Sequence, residues 1–220
     1  MGNNTTLGQI QATILNKIAH DDFFTDAFYF TGGTALSEIY LHHRISVDLD
    51  FFSFRTYDSQ NILSRLQAWS QELSFSIETQ FTEPVNIYLL TFTDKEVLKV
   101  DFAHYPYKQL REQTLYAEKL AVDSLFDIAV NKLLTITQRT ELKDFADLYF
   151  LLQEFTFWDL RDGVKIKFNV DIEPFIMASD FMVVDDFEYM PNMLKPLDLS
   201  TLKRFFKEQA RKLGGSVVEE

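Results

Sequence analysis

Residues 28–52, FYFTGGTALSEIYLHHRISVDLDFF, carry the pattern on which the fold turns. Phe28 to Phe30 make a short aromatic strand that runs into Thr31-Gly32-Gly33-Thr34, and Ala35 to Leu41 continues at helical spacing. A glycine pair at that junction permits a tight turn and a close backbone approach that a Cβ would block. His43 to Phe54 reads as a second strand. In it Val47, Leu49 and Phe51 alternate with Asp48, Asp50 and Phe52. Both aspartates therefore share one face, about 7 Å apart along the chain by the strand rise.

The flanking sequence extends the same plan. Residues 8–19 set Ile10, Ile14, Leu15 and Ile18 on one helical stripe, and Ser59 to Leu73 does so with Ile62, Leu63, Leu66 and Trp69. Three strands are expected next, at Ser74–Phe81, Val85–Thr93 and Val97–His104, with Asp94-Lys95 as a hairpin turn between the last two. In the third, Leu98, Val100 and Phe102 face one way, and Lys99 and Asp101 the other. After Pro106 helical spacing replaces alternation, at residues 124–139, 143–154, 172–177 and 200–213. The expectation is an α+β half over residues 1–110 and a mainly helical half over 111–220, the change falling near 106–122.

Composition sets the bounds. The chain has 220 residues, 46% of them hydrophobic, with 22 Phe and 9 Tyr, which predicts a bulky aromatic core. No run reaches the roughly 18–20 apolar residues of a membrane span. Met1 to Thr6 is polar and uncharged, unlike a leader. The absence of cysteine excludes disulfides, zinc–thiolate sites and thiol catalysis, and fits a cytoplasmic protein. A formal net charge of −12 would repel a nucleic-acid backbone overall. The acidic stretch Asp171 to Glu188 and the basic tail of Lys203, Arg204, Lys207, Arg211 and Lys212 both read as charged surface.

The residues that suggest chemistry are Asp48, Asp50 and Asp101 with the Gly32-Gly33 turn. Mg²⁺ takes oxygen ligands, commonly a few carboxylates plus substrate phosphates. Aspartates set inside Val47-Leu49-Phe51-Phe52 would be costly to bury without a cation. A glycine turn opening a helix suits phosphate, and Thr34 or Thr31 can add a hydroxyl. Arg44 has two readings, a phosphate ligand or a neutraliser of Asp48 and Asp50. Tyr105 and Tyr107 read as packing, and His42, His43 and His104 as non-catalytic.

Four blocks taken together resemble a known family. They are Gly32-Gly33-Thr34-Ala35-Leu36 with His43 to Phe52, then Leu98 to Phe102, then Asn131-Lys132-Leu133, then Arg139 with Lys143 to Tyr149. In this order, over residues 28–152, they are similar to the AbiEii/AbiGii toxin-like nucleotidyltransferases of the DNA-polymerase-β-type superfamily. The resemblance implies a mixed β-sheet with flanking helices, followed by a helical half that completes the site. It implies that Asp48, Asp50 and Asp101 hold Mg²⁺, two ions by the two-metal scheme, with Mn²⁺ as a substitute. Gly32, Gly33 and Thr34 would line the nucleotide phosphates with Arg44, Lys132 would contact the triphosphate, and Asp144 would complete the site. The implied partners are a nucleoside triphosphate, an acceptor such as the 3′ end of tRNA, and a cognate antitoxin. Transfer to a small molecule or a protein is the first alternative reading, and a non-catalytic nucleotide-binding regulatory module the second.

Overall fold

The computed structural model of the chain describes residues 5–216; Met1 to Asn4, read above as unlike a leader, lie outside them. Contacts gather the chain into two units. The first takes the chain up to Tyr40, with Ser46–Lys108 and Glu112–Ser124. The second takes Leu41–Ile45, Gln109–Arg111 and the chain from Leu125 onward.

The first unit is built on a mixed sheet. Its strands are β1 (Tyr29–Thr31), β2 (Leu49–Ser53), β3 (Phe75–Thr82), β4 (Val85–Phe92), β5 (Val97–His104), β6 (Thr114–Tyr116) and β7 (Leu120–Val122), in the spatial order β3-β4-β5-β2-β1-β7-β6. β2 runs parallel to β5 and antiparallel to β1. Helices α1 (Gln9–Ala19), α2 (Asp22–Ala27), α3 (Gly32–Ala35) and α4 (Ser59–Leu73) accompany it, and a wide π-helical turn, Leu36–Leu41, continues α3. The expected hairpin is present: β4 and β5 pair throughout, and Lys95 takes a left-handed φ of 72° at its turn. α4 begins where the Asp58 side chain accepts the Gln60 N–H at 2.9 Å and ends at Ser74, whose φ is 57°.

The aromatic core is as expected from composition. Phe51 of β2 stacks on Phe102 of β5 with centroids 5.2 Å apart, and Phe24 of α2 stacks on the same ring at 5.4 Å. Alternation along β2 buries Leu49, Phe51 and Ser53 and leaves Asp50 and Phe52 half-exposed. The apolar face thus fastens the strand while its other face presents the carboxylate.

Two expectations are corrected in this region. The second strand does not begin at His43 but at Leu49, so Asp48 precedes it, and Val47 is 66% exposed instead of lying in the core. The reason is that His43 and Arg44 are bonded within the second unit, which draws the backbone out of the ladder. The three-residue strands β6 and β7 were not expected, because they are too short to show a period of two.

The second unit contains α5 (Leu125–Gln138), α6 (Leu142–Glu154), α7 (Phe157–Phe168), α8 (Pro174–Met182) and α9 (Leu199–Ser216). Phe206 of α9 meets Phe145 of α6 and Phe181 of α8, with centroids 5.0 Å apart in each case. The helix expected over 172–177 starts later, with Pro174 in its first turn, and runs further. α7 was not expected, although Thr156 and Asp159 form a capping box at its start. Its Gly163 lets α7 approach α5, since a Cβ there would overlap Val130 and stand 3.3 Å from the Phe126 ring. Asp127 of α5 is fully buried, accepts the Leu110 and Arg111 N–H groups at 3.0 Å, and pairs with Lys167 at 2.8 Å. The acidic stretch and the basic tail meet in a surface ion pair, Lys207 with Asp185 at 2.7 Å, while Asp171 of the same stretch pairs with Lys165 of α7 at 2.8 Å.

Candidate active site

In the first unit, sheet register brings the predicted residues into a row. Thr31 of β1 lies opposite Asp50 of β2, and Asp50 lies opposite Asp101 of β5. Side chains at partnered positions of neighbouring strands project from the same face, so the Asp50 and Asp101 carboxylates share the half-exposed side of the sheet. Gly32, at the end of β1, has a left-handed φ of 75°. A Cβ at Gly32 would overlap Asp50 Oδ2 and stand 2.7 Å from its Cγ, so only glycine lets the turn close against this carboxylate. The Thr34 hydroxyl donates to the Asp48 backbone carbonyl and ties the helical turn to the residue before β2. The Thr31 hydroxyl is turned elsewhere, donating to buried Asp123 at 2.9 Å.

Lys99 is the addition that the structure makes to this group. Its ammonium bonds Asp101 Oδ2. Burial works against the charged lysine, yet Asp101 first, and then Asp48 and Asp50, raise its pKa above the ordinary value. The ammonium contacts Asp101 and feels the charge of Asp48 and Asp50, so a positive charge is favoured beside this strand. Among the described residues, no group of three or more acidic or imidazole side chains stands close enough to hold a metal ion unaided. Mg²⁺ is usually held by one or two carboxylates with waters and substrate phosphates. The donors that the sheet register pairs, Asp50 and Asp101, are carboxylate oxygens, the ligand type that ion takes.

The other predicted residues lie in a separate cluster within the second unit. Lys132 of α5 is 8% exposed, and its ammonium pairs with Asp144 and Asp147 of α6 at 2.6 Å each. Asp147 is also chelated by Arg44, through Nε at 2.6 Å and Nη2 at 2.9 Å, and meets His43 Nε2 at 2.7 Å. Arg139 Nε donates to the second oxygen of Asp144 at 2.8 Å. Asp144 and Asp147, three residues apart, share one helix face and are both fully buried.

Charge balance sets the protonation of this cluster. Burial alone would raise the Asp147 carboxyl, but Lys132, Arg44 and His43 outweigh it and hold Asp147 well below the usual carboxylate range. Asp144 is lowered in the same way, by Lys132 and Arg139 against burial. Burial would lower Lys132, but Asp147 and Asp144 raise it. His43 is lowered, because burial outweighs its bond to Asp147. Its ring is therefore neutral and donates from Nε2, while buried Nδ1 meets no hydrogen-bond partner among the described residues and sits near the Phe150 ring.

Sequence reasoning had singled out Lys132, Arg44 and Asp144, but not Asp147 and His43 as their anchors. The signal was present in the adjacency of His43 to Arg44 and the three-residue spacing of the aspartates. Phe52 and Tyr105 stack at 4.4 Å, and Tyr105 meets Tyr107 edge-on, so those tyrosines do pack on other rings.

Comparison with known proteins converges on one family. Residues 13–211 match the family described as nucleotidyl transferase AbiEii toxin, type IV toxin–antitoxin system. The chain is 33% identical over 161 residues to an uncharacterized protein of Aquifex aeolicus (strain VF5), covering 71% of each. Among solved structures it is similar to JHP933 from Helicobacter pylori, with a TM-score of 0.58 and 20% identity over 94% of this chain and 92% of that one. It is also similar to MenT4, a nucleotidyltransferase toxin from Mycobacterium tuberculosis H37Rv, with a TM-score of 0.52 and 18% identity over 86% and 75% of the two chains. At these identities the structural likenesses establish the nucleotidyltransferase fold.

Proposed function

The chain belongs to the AbiEii nucleotidyl transferase toxin family, and we propose that it moves a nucleoside monophosphate from a nucleoside triphosphate to an acceptor hydroxyl, with Asp48, Asp50 and Asp101 as the metal-holding carboxylates. One observation carries this reading: Asp50 and Asp101 are paired across β2 and β5, with the Gly32 backbone closed against Asp50. Mg²⁺, or Mn²⁺ in its place, supplies charge that offsets the phosphates and makes the acceptor hydroxyl easier to ionise.

The chain's own residues do the rest by positioning and charge. Gly32 closes the turn against Asp50, the backbone of Gly33 and Thr34 lines the nucleotide phosphates, and the Thr34 hydroxyl holds Asp48 by its carbonyl. Asp101 takes the acceptor proton, and pyrophosphate leaves; Asp144, whose two oxygens are engaged by Lys132 and Arg139, orients that lysine. Lys132 has three ammonium donors, two of them engaged by Asp144 and Asp147, and the third serves a phosphate oxygen. Arg44, locked onto Asp147, supports that lysine and adds positive potential for the triphosphate. The family's description points to an antitoxin as protein partner. No helix among the described residues is long and apolar enough to cross a membrane, and a triphosphate-using enzyme without cysteine suits the cytoplasm. RNA, including the tRNA 3′ end, is one acceptor class and a protein is another; a cationic small molecule suits the net charge of −12 better than RNA does.

The test is incubation with each α-phosphate-labelled nucleoside triphosphate and Mg²⁺, with cellular RNA and whole lysate as acceptors. Label should enter one acceptor class and vanish in the Asp48→Ala/Asp50→Ala variant. Tight triphosphate binding with no label in any acceptor would replace this reading with a nucleotide-binding regulatory module.

A further inference from the structure

We propose that Lys99 is the resident counter-cation of the carboxylate site: its ammonium holds Asp101 in the metal-free protein, and a divalent ion must displace it to reach that carboxylate. The inference rests on the metal reading above. β5 sets Lys99 and Asp101 two positions apart on one face, and the ammonium bonds Asp101 Oδ2. The Lys99 side chain is 35% exposed where Asp101 is 13%, so the lysine has more room to move into solvent than the carboxylate it holds. Asp48 and Asp50 act on the same ammonium through their charge.

A lysine suits such a place. Its charge is compact and sits on a flexible stem, so it can hold a carboxylate and still swing aside. While it remains, it offsets the mutual repulsion of clustered carboxylates and repels an incoming cation. Once displaced, it can turn to a phosphate oxygen of the nucleotide. Metal and nucleotide then reinforce each other, because each favours the arrangement in which Lys99 has left Asp101.

The experiment measures Mn²⁺ binding to the full chain by electron paramagnetic resonance, with and without a non-hydrolysable triphosphate. Lys99→Met should bind Mn²⁺ alone about tenfold more tightly than the parent, a direction set by removing a like charge. It should also gain less from added nucleotide, while Lys99→Arg, which keeps the charge, stays close to the parent. Lys99→Gln serves as a second neutral variant should the methionine perturb folding, checked by circular dichroism. Unchanged or weaker Mn²⁺ binding in the neutral variants, with binding lost in Asp101→Asn, would overturn the role of Lys99 and leave the metal site standing. Binding that survives both Asp50→Asn and Asp101→Asn, or is absent from every variant including the parent, would overturn the metal site and this inference with it.

Discussion

The two charge clusters of this protein use nearly the same residue types to opposite ends. In the first unit, Asp48, Asp50 and Asp101 act together on Lys99, and the group is half-exposed. In the second, Asp144 and Asp147 are fully buried and receive Lys132, Arg44, Arg139 and neutral His43 at 2.6–2.9 Å. A buried ion network whose oxygens are all engaged costs most when one member is removed, so it behaves as framework. A partly solvated group in which acid prevails gains from an added cation, which is what the proposed binding role requires.

The sharpest way to break this contrast is to neutralise one aspartate in each cluster. Asp50→Asn should reduce nucleotidyl transfer by about 10³-fold while leaving urea stability within about 1 kcal/mol of the parent, because relieving carboxylate repulsion offsets lost contacts. A fall in stability as large as the fall in activity would erase the distinction. Asp147→Ala should cost about 3–5 kcal/mol in urea unfolding, since it leaves Arg44 and Lys132 buried without their shared carboxylate. Near-parent stability of that variant would show that the second cluster is not framework.

Smaller effects refine the comparison. Gly163→Ala should destabilise by about 1–3 kcal/mol, because its Cβ would overlap Val130 on α5, the helix that carries Lys132. Thermal melting reads that cost, and a neutral result would mean that α5 and α7 can separate without penalty. The pH dependence follows from His43, whose folded value is lowered from 6.5, so the unfolded chain takes the proton first as pH falls. Its stability is full above about pH 6.5 and is lost as pH drops toward the folded value. The contributions of Asp144 and Asp147, also lowered, are present above their ordinary value of 3.8 and are lost only below it. Urea stability of the parent should therefore decline as pH falls below about 6.5, and His43→Gln should flatten that limb. An equally steep decline in the variant would assign it to another group.

Much of the first unit was legible along the chain because its signals are local. Alternation in Leu98 to Phe102 and the helical stripe of Ser59 to Leu73 each report one face of one element, and those elements stand where expected. The glycine turn was legible too, although its need for glycine came from a contact 18 positions away, at Asp50. Asp48 shows the limit of such reading. It alternates properly with its neighbours, yet the strand starts one residue later because His43 and Arg44 bond to Asp147 more than 100 positions on.

The amino-acid sequence by itself determined the types of the longer strands and of most helices, the glycine-turn and Asp-x-Asp pattern, the third aspartate and the resemblance to a nucleotidyltransferase family. Each of these depends on residues close in the chain, or on their order. Only the tertiary structure decided that Asp50 meets Asp101 in register, that Lys99 holds that carboxylate, and that Lys132, Asp144, Asp147, Arg44 and His43 form one buried network. A charge's role depends on which opposite charges reach it and how much water remains around it, and both are set by packing between distant segments.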